Sequence, residues 1–78
     1  MRTRSESAYL SVLGRHVRRL REQSGLSQEG LALKSGIDRT YISSLERGER
    51  NVAALNLRRI AKTLGIRTAA LFDFEGTR

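Results

Sequence analysis

The chain has 78 residues, with 15 Lys and Arg against 8 Asp and Glu, a net charge of +7, one histidine, and no cysteine, proline or tryptophan. This composition leaves no disulfide framework, thiolate metal site or imidazole cluster, and no apolar run approaches the ~20 residues that span a bilayer. Packing alone must hold a single small domain, and so short a chain buries only roughly 60% of its extended surface, which makes help from a second copy plausible. All the basic residues but Lys34 and Lys62 are arginine. Surplus positive charge attracts polyanions, and the planar arginine fork favours phosphate or a guanine edge.

Gly25, Gly36, Gly48 and Gly65 each follow a segment with helical spacing. The pattern predicts five helices, at about residues 7–24, 28–35, 39–47, 54–64 and 69–74, preceded by a flexible basic segment 1–7 that carries Arg2 and Arg4 and followed by a flexible tail 75–78. On an ideal wheel, Tyr9, Leu10, Leu13, Val17 and Leu20 form the core stripe of the first helix. Arg15, Arg18, Arg19 and Glu22 face away, and His16 lies at the side as a partly exposed helix residue. Arg21 falls at the margin of the stripe, where a half-buried guanidinium needs a carboxylate.

Ser27 is placed to cap the second helix, Leu31 to pack, and Ala32 to let a neighbouring helix cross closely. After Gly36, Ile37 plugs the corner and Asp38 caps the third helix. That helix splits cleanly. Arg39, Thr40, Ser43, Ser44 and Arg47 share one arc, while Tyr41, Ile42 and Leu45 take the opposite side. The first arc holds short hydroxyls and arginines and no acid, the groups that hydrogen-bond base edges, although an ordinary solvent face has the same pattern. Helices of eight or nine residues are marginal alone and must be clamped. Leu57, Ile60, Ala61 and Leu64, continued by Ile66 and Leu71, supply the clamp in an all-α, orthogonally packed five-helix domain over residues 8–74.

The run QEGLALKSGIDRTYISSLER, Gln28–Arg47, resembles the helix-turn-helix of phage-repressor-like regulators, the lambda repressor, Cro and XRE type. The likeness covers about residues 13–72, with GLSQ at Gly25–Gln28, LERGERN at Leu45–Asn51 and RIAKTLGI at Arg59–Ile66. Within that family, Asp38–Asn51 is most similar to the small controller proteins of restriction-modification systems. The resemblance implies a compact lambda-repressor-like DNA-binding domain, with the helix-turn-helix at the second and third helices. It implies that Gln28 bonds the phosphate backbone, that Arg39, Thr40 and Ser44 read bases, and that Tyr41 and Ser43 contact backbone or thymine methyls beside them. Arg47, Arg50 and Asn51 follow as a backbone-contacting loop, with Arg50 able to reach a base. It also implies a structural ion pair between Arg21 and Glu46, which agrees with the wheel position of Arg21.

The sequence departs from the family pattern at several boundaries. Gly30 stands where a glutamate completes the capping arrangement, and Val52 and Ala53 replace a proline and a hydroxyl before the fourth helix, leaving Asn56 as a rival cap. Arg67 takes the usual cap position of the fifth helix and shifts the expected cap to Thr68.

The expected function is a sequence-specific regulator of transcription that binds double-stranded DNA as a homodimer on a palindromic operator. It needs no cofactor, metal or small-molecule ligand, is not an enzyme, does not enter a membrane, and resides in the cytoplasm. Leu55, Leu71, Phe72 and Phe74 are expected at the twofold interface; a competing reading leaves Leu71 and Phe72 in the core and Phe74 as a frayed end. The alternative function is a DNA-binding antitoxin or a protein-interaction adaptor on the same fold.

Overall fold

The computed structural model describes residues 1–74, and all their regular structure is helical. The elements are α1 (Arg4–Gln23), α2 (Gln28–Ser35), α3 (Arg39–Glu46), α4 (Ala54–Leu64) and a 3-10 turn, Thr68–Phe72. The expected tail 75–78 lies outside the described residues.

Helix α1 begins at Arg4, three residues before the expected start, because Thr3 and Glu6 form a capping box. The Glu6 backbone N–H donates to Thr3 Oγ1 at 3.1 Å, and the Thr3 N–H donates to Glu6 Oε1 at 2.8 Å. Residues 4–7, expected before the first helix, are therefore helical, and Arg2 Nη1 donates to Gly48 O at 3.3 Å.

Leu13, Val17, Leu31, Ile42, Leu45, Ile60 and Leu71 form the fully buried centre. Tyr9, expected in that stripe, sits at its rim with its ring centroid 5.4 Å from that of Phe74. Helix α1 crosses close to the end of α3. A Cβ on Gly14 would lie 2.5 Å from the carbonyl oxygens of Leu45 and Glu46, so only glycine permits this approach.

Helix α4 starts without a side-chain cap. Its N-cap is Ala53, Asn56 lies inside the helix, and the Ala53 N–H is taken instead by the Tyr41 hydroxyl at 3.0 Å. The expected fifth α-helix is a 3-10 turn. Arg67 holds its N-cap position with no side-chain bond, so Thr68 is not the cap, and five residues are a length at which the tighter helix is common.

Two anchors fix this turn. Leu71 is fully buried, which removes it from the expected intermolecular surface, since its side chain is consumed inside its own chain. His16, expected to be partly exposed, is buried. Its Nε2 lies 2.9 Å from Ala70 O and its Nδ1 lies 2.8 Å from Arg19 Nη2. Arginine can only donate, so Nδ1 accepts and Nε2 carries the hydrogen given to Ala70 O. Phe72 and Phe74 are half-buried beside it, whereas Leu55 is 68% exposed.

Candidate nucleic-acid interface

The short helix α3 is defined at both ends by its sequence. Asp38 accepts the Thr40 N–H on Oδ1 at 2.7 Å. At the other end Gly48 adopts φ +74°, its N–H donates to Leu45 O at 3.0 Å, and the Glu49 N–H donates to Ser44 O at 3.0 Å. This paired closure needs a left-handed residue, which glycine supplies at no steric cost.

Between these caps the two faces diverge. Ile42 and Leu45 are buried. Arg39 and Thr40 are exposed at the first turn, and their side chains make no hydrogen bond or ion pair among the described residues. Ser43 is half-buried and its hydroxyl accepts from Arg47 Nη1. Arg47 Nε also pairs with Glu49 Oε1 at 3.0 Å, both side chains more than half exposed. Such a surface pair contributes at most ~1 kcal/mol and yields readily to a phosphate.

Ser44 departs from its expected place. It is 8% exposed, its hydroxyl donates to Tyr41 O at 3.1 Å, and it accepts Arg50 Nε at 2.7 Å. The wheel assigned it to the outer arc, but the loop after α3 folds back and Arg50 covers it, so Ser44 is not a free base-reading group. Tyr41 is half-buried for a related reason. Its hydroxyl holds Ala53 and its ring faces the Arg50 guanidinium, 4.8 Å from ring centre to carbon. Arg50 and Asn51 are exposed on the loop.

Behind this surface lies a buried polar joint. Arg21 donates through Nε to Glu46 Oε2 at 2.6 Å and through Nη2 to Glu46 Oε1 at 2.9 Å. Its Nη1 donates to Leu26 O at 2.8 Å. Hydrogen bonding to Glu46 raises the Arg21 pKa, burial opposes it, and the charges of Glu46 and Glu22 add to the rise. Gln28, at the first residue of α2, donates Nε2 to the same Glu46 Oε1 at 3.0 Å. The carboxylate thus ties the end of α1, the start of α2 and the end of α3 to one another.

Sequence reasoning passed over Gly14, although a glycine inside a helix costs about 1 kcal/mol and so signals a close approach. It also passed over the anchoring of Arg2, for which a lone terminal arginine carries no pattern. No group of three His, Cys, Asp or Glu able to hold a metal ion occurs among the described residues, and no helix there is long and apolar enough to cross a membrane.

The surroundings of this surface match known proteins closely. The chain is 45% identical over 64 residues to the control protein C.BamHI of Bacillus amyloliquefaciens, covering 81% of this chain and 79% of that protein. Its fold superposes on the restriction-modification controller protein C.AhdI from Aeromonas hydrophila with a TM-score of 0.82 and 45% identity, over 85% of this chain and 96% of the other. It is also similar to the restriction-modification controller protein C.Esp1396I, solved as a tetramer in complex with its natural 35 base-pair operator, at a TM-score of 0.75 and 38% identity over 85% of this chain and 87% of that one. Residues 17–71 match the sequence pattern of the helix-turn-helix family HTH_3, and the chain belongs to that family.

Proposed function

We propose that the protein is a cytoplasmic, sequence-specific transcription regulator of the restriction-modification controller kind, acting as a homodimer on a palindromic double-stranded DNA operator. The observation that carries this reading is the first turn of α3, where Arg39 and Thr40 stand exposed and unengaged in front of a buried aliphatic back. The relationship to C.Esp1396I, which is solved on its operator, supports the same reading.

Each residue then has a distinct part. Arg39 reads a guanine edge with two hydrogen bonds, while Thr40 offers a hydroxyl and a methyl to the neighbouring pair. Gln28, steadied by Glu46 through one amide hydrogen, gives the other to a phosphate. Arg47, Arg50 and Asn51 extend the backbone contacts beyond the helix, and Tyr41 and Ser43 flank the reading positions. One such helix covers only a few base pairs, so two copies must meet with their recognition helices about one turn of DNA, ~34 Å, apart. Leu55, Phe72 and Phe74 form the surface for that meeting, since Leu55 is exposed and both phenylalanines are only half-buried.

Selection from a pool of random duplexes on the purified protein tests the proposal. The expected result is a twofold-symmetric site bound by the dimer. Arg39→Ala weakens that site by ~1–3 kcal/mol with relaxed preference at one pair per half-site, whereas Gln28→Ala weakens all sequences about equally. Failure to enrich any sequence removes the reading.

A further inference from the structure

Arg50 is mounted at two points, and each mount is itself fixed. Its Nε donates to Ser44 Oγ at 2.7 Å, and its guanidinium carbon lies 4.8 Å from the centre of the Tyr41 ring. Ser44 is buried and its only hydroxyl hydrogen is committed to Tyr41 O, so Oγ meets the arginine purely as an acceptor. The Tyr41 ring is in turn held from its far end, because its hydroxyl accepts the Ala53 N–H. The 49–44 backbone bond closes the turn between Ser44 and Arg50. Among the described residues no carboxylate competes. Glu46 is bound to Arg21 and Glu49 to Arg47, and Nη1 and Nη2 of Arg50 make no hydrogen bond among the described residues.

A guanidinium caught by Nε and by one face keeps its terminal fork available. We infer that Ser44 and Tyr41 are positioning residues that order Arg50 before binding, so that Nη1 and Nη2 meet two acceptor atoms on the duplex, while Ser44 itself does not touch DNA. The inference rests on the DNA-binding reading above. Phosphate oxygens and the O6 and N7 of guanine both offer such a pair of acceptors. A free arginine side chain loses its rotamer freedom on binding, a loss equivalent to roughly 2- to 12-fold in affinity for each side chain immobilised. The Ser44 hydroxyl removes that loss in advance.

The test is a double-mutant cycle on the dimer, with binding of the selected operator and of a scrambled duplex followed by fluorescence anisotropy at one salt concentration. Ser44→Ala is a safe variant, since alanine is the better helix former and exposed Arg50 exchanges its lost bond for water. Expected is a loss of about 2- to 12-fold per protomer for Ser44→Ala and a larger loss for Arg50→Ala. In the Arg50→Ala background, Ser44→Ala has no further effect, and Ser44→Thr, which keeps the hydroxyl, stays within twofold of the parent. In the unbound protein, the Arg50 Nε–H resonance is protected from exchange and loses that protection in Ser44→Ala, a change that a purely structural role does not produce. Equal losses on both duplexes assign the acceptors to phosphate, and a loss confined to the operator assigns them to guanine. A Ser44→Ala effect of the same size with and without Arg50, or none at all, overturns the inference. A parent protein that binds neither duplex instead overturns the DNA-binding reading on which it rests.

Discussion

Arg21 and Glu46 form a two-bonded ion pair in the interior, 25 residues apart in sequence, with Nε–Oε2 at 2.6 Å and Nη2–Oε1 at 2.9 Å. Replacing a buried pair by well-packed apolar residues is often harmless, but removing one partner leaves the other charge stranded. Glu46→Ala is expected to lower stability by about 3–5 kcal/mol, and pairing Arg21→Met with Glu46→Leu is expected to restore most of it. Urea unfolding of the three variants measures both. A raised arginine pKa contributes stability at every pH below its unfolded value and loses it only above roughly pH 12, so Arg21 adds no pH dependence between neutrality and pH 10.

Gly14 supports a second prediction. Alanine ordinarily stabilises a helix by about 1 kcal/mol relative to glycine, yet here the added methyl meets two backbone carbonyls at 2.5 Å. The helices must separate, and overpacking of this kind costs about 1–3 kcal/mol. Gly14→Ala is expected to lower the melting temperature by at least several degrees in a thermal scan. Because the displaced carbonyls belong to α3, operator affinity measured well below the transition falls as well.

A gain is expected at the start of α4. Ala53 already has φ −90° and ψ 138°, the extended conformation of an N-cap, and lacks only the oxygen. Ala53→Ser supplies it without disturbing the bond from its own N–H to Tyr41. The expected stabilisation is ~1 kcal/mol, read as a higher melting temperature with DNA affinity unchanged.

The proposed dimer surface separates from the core by paired substitutions. Leu71→Ala opens a cavity and is expected to cost about 2–5 kcal/mol of stability. Leu55→Glu puts a charge where the protomer is already open to solvent, so the folded protomer tolerates it. Sedimentation velocity of Leu55→Glu and Phe74→Glu is expected to show a shift toward monomer. An unchanged dimer for both places the twofold contact elsewhere.

Much of the architecture could be read from residue order because each short helix carries its own stop and its own apolar stripe. Ile42 and Leu45 against Arg39 and Thr40 divide α3 as their angular positions dictate. The wheel failed where a later segment returns. It treats everything outside the stripe as solvent, so it could not foresee that Arg50, six residues on, would lie over Ser44. Leu71 was expected both to continue the core stripe and to reach the twofold surface, and its complete burial leaves only the first, beside a His16 contact to Ala70 made across 54 residues. The start of α1 moved for a local reason. Thr3 and Glu6 extend α1 as a reciprocal cap, whereas α4 begins where expected, at Ala54, with no side-chain cap and with the N–H of its N-cap residue held by Tyr41.

The exposed first turn of α3 has an evolutionary corollary. The side chains of Arg39 and Thr40 make no hydrogen bond or ion pair among the described residues, whereas those of Ser44, Tyr41, Glu46 and Gln28 are each wired to something else. Under the proposed base-reading role, retargeting by substitution is open at these two adjacent letters and closed at their wired neighbours. If the pair reads the operator as proposed, exchanging these two side chains changes the cognate site while leaving the scaffold intact.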